Sequence, residues 1–212
     1  MNVKSSKVVI IDYGMGNLMN VKNALEKIEC EVEVTNKPSA IKKARAIVLP
    51  GVGSFKDCIE NLKKNNLIHP LCDFISSGRP FLGICLGMQV LFTESEEFGY
   101  TRGLGIFKGR VVHFPREKGL KIPHMGWNSI RIKKRAPHLK NIPDNSYFYF
   151  VHSYYVIPED KNIIATTTEY GEEFASSIWR ENVFACQFHP EKSQKVGLEL
   201  LKNFKEIVEN AC

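Results

Sequence analysis

From residue 7 to about residue 90 the chain alternates short β-type runs with amphipathic stretches, and this alternation restricts its fold more than any other feature. "KVVIID" (7–12) is apolar and β-branched, as a strand buried on both faces should be. "NLMNVKNALEKIE" (17–29) follows, with Leu18, Val21, Ala24, Leu25 and Ile28 on one helical face. Next come "CEVEVT" (30–35), a short helical "SAIKKA" (39–44) and "AIVLP" (46–50). Two helices are expected within 54–78, with Gly78 placed to stop the second. "PFLGI" (80–84) predicts another strand and "LGMQVLFTES" (86–95) another helix. Strands separated by helices predict an α/β fold with a mostly parallel, doubly wound sheet flanked by helices. Between Gly105 and Trp179 the β-runs become short, aromatic and turn-separated, as in "YFYFVHSYYVI" and "NIIATTTEY". These predict additional antiparallel strands on the sheet in the second half. "NVFACQF" (182–188) predicts one more buried strand, and "SQKVGLELLKNFKEIVEN" (193–210) a closing amphipathic helix. Without a Pro/Ser-rich linker or internal repeat, a single domain over 1–212 is expected.

Charge and cysteine usage narrow the function classes. The net charge of +6 comes from dispersed Lys and Arg, and the densest cluster is the short "KKR" at 133–135, so a solvated surface is expected and no nucleic acid. No apolar run approaches the roughly 20 residues that cross a bilayer, and "MNVKSSKVVI" is too short in its apolar part for a signal peptide. A cytoplasmic protein without a membrane partner is expected. The six cysteines are scattered, with no CxxC pair and no zinc-type spacing, which predicts no metal and gives no sign of a cofactor.

One cysteine stands apart. Gly83-Ile84-Cys85-Leu86-Gly87 fits G-x-S-x-G with cysteine for serine, between a strand-like and a helix-like run. That motif is a tight turn which lifts a nucleophile above the sheet, and its glycines avoid a crowding Cβ. Cys85 would then cap a helix N-terminus, where the macrodipole favours thiolate, and the Leu86 N–H would face a developing oxyanion. A buried cysteine in a glycine-rich strand end is the alternative.

A nucleophile needs a base, and the base an orienter. Among six histidines only His189, in "QFHPEKS", follows a buried-looking strand and has a carboxylate two residues on. Pro190 keeps His189 extended, and residues i and i+2 of an extended segment share a side, so Glu191 can reach the imidazole and fix its tautomer. A second oxyanion donor is sought in "LPGVGSF" (49–55), where Gly51-Val52-Gly53 ends a strand. The competing phosphate cradle lacks both the GK[ST] ending and the G-x-G-x-x-G spacing, and "GMGN" (14–17) has Met19 in place of the third glycine.

"GICLGMQ", "QFHPEKS" and "PGVG" together resemble the class I (triad) glutamine amidotransferases, and "PHMGWN" (123–128) with "FVHSYY" (150–155) resembles the glutaminase subunits of imidazole glycerol phosphate synthase. The resemblance runs from "IDYGMGN" to the final helix. It implies hydrolysis of glutamine through a glutamyl thioester on Cys85, with His189 as acid and base, Glu191 as orienter, and Leu86 with a rotated Gly51-Val52-Gly53 peptide holding the oxyanion. It further implies that Gln89, Glu97 and the Ser153-Tyr154 backbone bind glutamine. Asn17, Trp127, Asn128, Tyr149 and Lys192 would lie at the interface or channel gate of a (β/α)8 cyclase that receives the ammonia in a heterodimer. Taken as residues alone, Gln89, Ser153 and Tyr154 are also compatible with solvated or capping positions, Asn17 with a plain helix cap and Trp127 with packing inside its own domain. Delivery of ammonia to another synthase, such as one of a surface-sugar pathway, a stand-alone hydrolase of γ-glutamyl amides, and a non-enzymatic chain with a dead site are the competing readings.

Overall fold

The computed structural model describes residues 7–115 and 119–211. Four strands, β1 (Val8–Ile11), β2 (Val32–Thr35), β3 (Ala46–Gly51) and β4 (Phe81–Cys85), pair in parallel in the order β2-β1-β3-β4. Helices α1 (Leu18–Lys27), α2 (Pro38–Lys43), α3 (Phe55–Lys64) and α4 (Ile68–Ser76) make the crossovers. Asn17 Oδ1 accepts the Asn20 N–H at the start of α1, and Ser54 Oγ accepts the Asp57 N–H at the start of α3. Each cap satisfies one donor that the first turn leaves open.

The strand β14 (Val183–Cys186) joins β4 in parallel, and β13 (Glu173–Arg180), β12 (Ile164–Glu169) and β9 (Arg131–Ile132) continue the same sheet antiparallel. The expected mixture of a parallel core with antiparallel additions is found. Not every addition joins that sheet, however. "YFYFVHSYYVI" is cut at Ser153 into β10 (Tyr147–His152), which pairs with β8 (His124–Ser129), and β11 (Tyr154–Pro158), which pairs with β7 (Phe107–His113). The latter sheet runs on to β5 (Phe92–Ser95) and β6 (Thr101–Arg102).

β5 overturns the helix expected over 86–95. Only α5 (Leu86–Gln89) is helical, a single turn. Beyond it the carbonyls of Val90, Leu91 and Phe92 accept N–H groups from Leu104, Phe107 and Gly105, so the returning chain takes the partners that a continuing helix would have used. The apolar "VLF" supports either state, and tertiary pairing decides.

Alternation along β1 sends Val8 and Ile10 into one apolar core and Val9 and Ile11 into another. The first lies under α1 and the closing helix α6 (Gln194–Asn210), through Val21, Leu25, Leu200, Leu201 and Phe204; the second lies under α2, α3 and α4. Helices on both faces leave the carboxyl ends of β3, β4 and β14 side by side, with Gly51 opposite Cys85 and Cys186 opposite Ile84. An open α/β sheet binds ligands at such ends.

Candidate active site

Cys85 ends β4 with φ +54° and ψ −110°, a conformation that costs a non-glycine residue about 1–3 kcal/mol and persists only where the surroundings impose it. Glycine at both flanks makes the turn possible. A Cβ on Gly87 would overlap the Leu49 carbonyl, and one on Gly83 would come within 2.8 Å of the Gly87 carbonyl oxygen and 2.9 Å of Ala185 Cβ. The sulfur sits in the floor of a pocket, with only 6 % of the residue exposed, rather than standing proud of the sheet. With α5 reduced to one turn, the full-helix dipole expected to act on Cys85 is not available to it.

His189 and Glu191 follow β14. His189 is extended, as Pro190 requires, and its Nδ1 lies 2.8 Å from Glu191 Oε1, with both side chains almost fully buried. His189 Nε2 is buried without a hydrogen-bond partner. Burial pushes this imidazole's pKa down, but Cys85 on one side and the Glu191 carboxylate on the other raise it well above the usual histidine value. The raised pKa makes this imidazole a strong proton acceptor beside the sulfur. Its backbone is anchored too: the His189 N–H donates to the Tyr149 carbonyl (2.9 Å), and Ser193 Oγ donates to the His189 carbonyl (2.6 Å).

The pocket above Cys85 has a volume of about 470 Å³. Of the residues singled out from sequence, Val52, Gly53, Cys85, Leu86, Gln89, Glu97, Ser153 and Tyr154 line it. Gly51 lies just behind, opposite Cys85 in the β3–β4 register. Glu97 Oε2 accepts the Phe55 N–H at the start of α3 (2.6 Å), while burial raises the carboxyl's pKa against that hydrogen bond. Gln89 Nε2 donates both its hydrogens, to the Tyr154 carbonyl (2.8 Å) and to Gln187 Oε1 (3.0 Å).

Sequence reasoning misses several pocket residues. Gln187, fully buried, donates from Nε2 to Cys85 Sγ (3.4 Å). It stands two residues before His189, on the same side of the extended segment, a signal that "QFHPEKS" carries. Pro123, Val151, His152 and His113 also line the pocket, brought there by the β8–β10 and β7–β11 pairings that local sequence does not announce.

A second group lies outside the pocket. Trp127, 47 % exposed, meets Tyr149 edge-on with centroids 6.1 Å apart, and Lys192 Nζ stands 5.6 Å from the Tyr149 ring centre. Met125, Trp127, Tyr147 and Tyr149 form the outer face of the β8–β10 ribbon, and Met125 and Tyr147 are exposed. Asn17 is exposed and serves as the cap of α1, whose Asn20 and Asn23 share a cavity with Glu191. Asn128 turns its amide inward, onto His124 and the Glu169 carbonyl. Among the described residues no helix is long and apolar enough to cross a membrane.

A strained cysteine at a strand end, a buried His–Glu pair beside it and a pocket above stand together at the carboxyl edge of an α/β sheet. The family model described as "Glutamine amidotransferase class-I" matches residues 9–207, and the chain belongs to that family. Its similarity is more particular than the class. It is 53 % identical over 205 residues to the imidazole glycerol phosphate synthase subunit HisH of Syntrophotalea carbinolica, covering 94 % of this chain and 100 % of that one. The HisH subunit of Aquifex aeolicus is 52 % identical over 204 residues, covering 96 % and 98 %. The fold is also that of more distant solved structures, both from Thermotoga maritima: PurLQS (TM-score 0.75, 18 % identity, 96 % and 97 % covered) and a glutamine amidotransferase (TM-score 0.68, 15 % identity, 97 % and 98 % covered).

Proposed function

We propose that this chain is the glutaminase subunit of an imidazole glycerol phosphate synthase, hydrolysing glutamine in histidine biosynthesis and handing the ammonia to a cyclase. The observation that carries the chemistry is Cys85 held in a strained turn at the pocket floor, beside the buried His189–Glu191 pair.

Glutamine enters the pocket with its carboxamide over Cys85. The sulfur attacks the carboxamide carbon as His189 Nε2 takes the thiol proton, and the oxygen takes up negative charge between the Leu86 N–H and an N–H of Gly51-Val52-Gly53. His189 gives its Nε2 proton to the departing nitrogen, so ammonia leaves and a glutamyl thioester remains on Cys85. His189 then takes a proton from water, the resulting hydroxide attacks the thioester, and glutamate departs as the sulfur recovers its starting state. Glu191 keeps Nδ1 protonated throughout, so that Nε2 always faces the reaction. Glu97 and the Ser153-Tyr154 backbone bind the charged ends of the amino acid.

Ammonia released into water is protonated and lost as a nucleophile. A partner must therefore receive it directly, and a (β/α)8 cyclase seated on the apolar β8–β10 face near Trp127, Tyr149 and Lys192 fits this need. An exposed tryptophan beside a tyrosine suits an interface anchor. The pair works in the cytoplasm as a heterodimer, and this chain as one domain.

The test is Cys85→Ala in the complex. Glutamine-driven product formation should vanish, while formation driven by added ammonium salts continues. Loss of both would make Cys85 a structural residue and remove the covalent mechanism.

A further inference from the structure

Behind the pocket a line of hydrogen bonds runs from β8 to the Tyr154 carbonyl through two buried histidines. Asn128 Nδ2 is 3.2 Å from His124 Nε2, His124 Nδ1 is 3.0 Å from His152 Nε2, and His152 Nδ1 is 2.8 Å from the Tyr154 oxygen. An imidazole nitrogen can donate or accept, so these distances alone leave the protons open. The two ends remove that freedom. The Tyr154 carbonyl only accepts, so His152 Nδ1 carries hydrogen. Asn128 is locked by two backbone groups: the Ser129 N–H donates to Oδ1 (2.8 Å), and the Glu169 carbonyl accepts from Nδ2 (2.9 Å). Nδ2 is thus the donor to His124, whose Nε2 accepts and whose Nδ1 donates onward to His152 Nε2. Both rings are neutral, each with its proton on Nδ1.

The surroundings hold that state. His124 is stacked between Phe150 (4.9 Å) and Tyr170 (4.0 Å), and Phe114 packs on His152 at 5.2 Å. Burial lowers the pKa of His124 to about 4 and of His152 to about 3, so neither charges at neutral pH. The Tyr154 carbonyl receives two N–H groups, one from His152 and one from Gln89, and Gln89 gives its other hydrogen to Gln187, which in turn touches the Cys85 sulfur. With both amide hydrogens held, Gln89 has only its Oε1 left to offer a ligand.

Resting on the glutaminase reading, we infer that His152 is a positioning residue for substrate binding: with its tautomer set by His124 and Asn128, it orients the Tyr154 carbonyl so that Gln89 presents only an acceptor to the pocket. The ligand class this selects carries N–H donors at that point. A pocket with Gln89 turned round would present donors instead and favour a carboxylate, so the relay discriminates glutamine from glutamate.

Two measurements test this. Nitrogen-15 histidine spectra of the chain alone should show His124 and His152 neutral at pH 7 with hydrogen on Nδ1. Asn128→Asp, which can only accept at that position, should move the His124 proton to Nε2. An imidazolium, or an Nε2–H form in the unmutated chain, would overturn the proposal. In the complex with the cyclase, His152→Gln, which lacks a donor at the Nδ1 position, should raise KM for glutamine about tenfold with kcat little changed, the loss of one hydrogen bond. His152→Asn, whose amide nitrogen reaches that position, should restore KM to within about threefold. A KM in His152→Gln equal to the unmutated value, or a rise that His152→Asn fails to correct, would refute the positioning role. An unmutated complex inactive with glutamine, alongside the expected tautomers, would strike the glutaminase reading and leave the relay standing.

Discussion

Replacing Glu191 with glutamine removes one charge and changes almost no volume, so it isolates the electrostatic part of the site. Glu191 Oε1 lies 2.8 Å from His189 Nδ1, with side-chain exposures of 2 % and 3 %. Taking about 4 Å between the charge centres and an effective dielectric of about 20, the attraction between carboxylate and imidazolium is about 4 kcal/mol. A charge-assisted hydrogen bond in folded proteins contributes about 1.5–3 kcal/mol net, which sets the lower bound. In the proposed mechanism His189 becomes imidazolium before ammonia leaves, so this energy enters the barrier. At 1.36 kcal/mol per tenfold, kcat should fall by about 10–10³. An amide also presents an N–H as readily as a C=O, so part of the population acquires hydrogen on His189 Nε2 and cannot accept a proton there, which deepens the loss. The assay is steady-state glutamine turnover by the complex, with ammonium-driven turnover as the control for folding and docking. A variant within threefold of the unmutated rate on glutamine would refute the role given to Glu191.

Gly87→Ala should be the most damaging single methyl on this face of the sheet: its Cβ would overlap the Leu49 carbonyl, which β3 holds in place, and denaturant unfolding should show a loss of about 3 kcal/mol or more, or no folded protein. Gly78→Ala, at φ +78° with open space around it, should cost only about 1 kcal/mol, and equal costs would contradict the packing argument. His138 is buried, stacked on Phe184 at 4.5 Å, and neither ring nitrogen has a hydrogen-bond partner; burial lowers its pKa to about 3. Its unfolded form binds a proton below about pH 6.5 and its folded form does not until about pH 3, so stability falls as pH drops through that window, by up to about 1.4 kcal/mol per pH unit. His138→Phe should therefore raise stability and flatten the acid limb of a guanidinium series between pH 7 and pH 5, and an unchanged slope would count against it. Trp127→Ala should weaken association with the cyclase at least tenfold with little change in melting temperature, given that nearly half the residue is exposed; a variant that unfolds yet pairs normally would exclude the anchor role.

How far the sequence reaches can be judged residue by residue. The strands of the parallel core are legible because burial on both faces demands unbroken apolar runs, and "KVVIID", "AIVLP" and "PFLGI" have no other comfortable place in water. Cys85 is legible because its turn tolerates so few residue types on either side, and His189 with Glu191 because an X-Pro bond fixes the backbone between them. The stretch 86–95 misleads because its apolar residues satisfy a helix and a strand equally, and the returning segment 103–107 chooses between them. Gln187, His152, His124 and the β8–β10 ribbon lie beyond local reading, for each owes its role to a partner far along the chain. The sequence by itself determined the layered sheet, the strained turn at Cys85 and the His189–Glu191 pair, because steric exclusion and alternation of apolar residues act over a few neighbours. Only the tertiary structure decided which nitrogen of each buried histidine carries its proton and which amide meets the sulfur, because a hydrogen bond is directional and its direction is set by whichever group folding brings opposite.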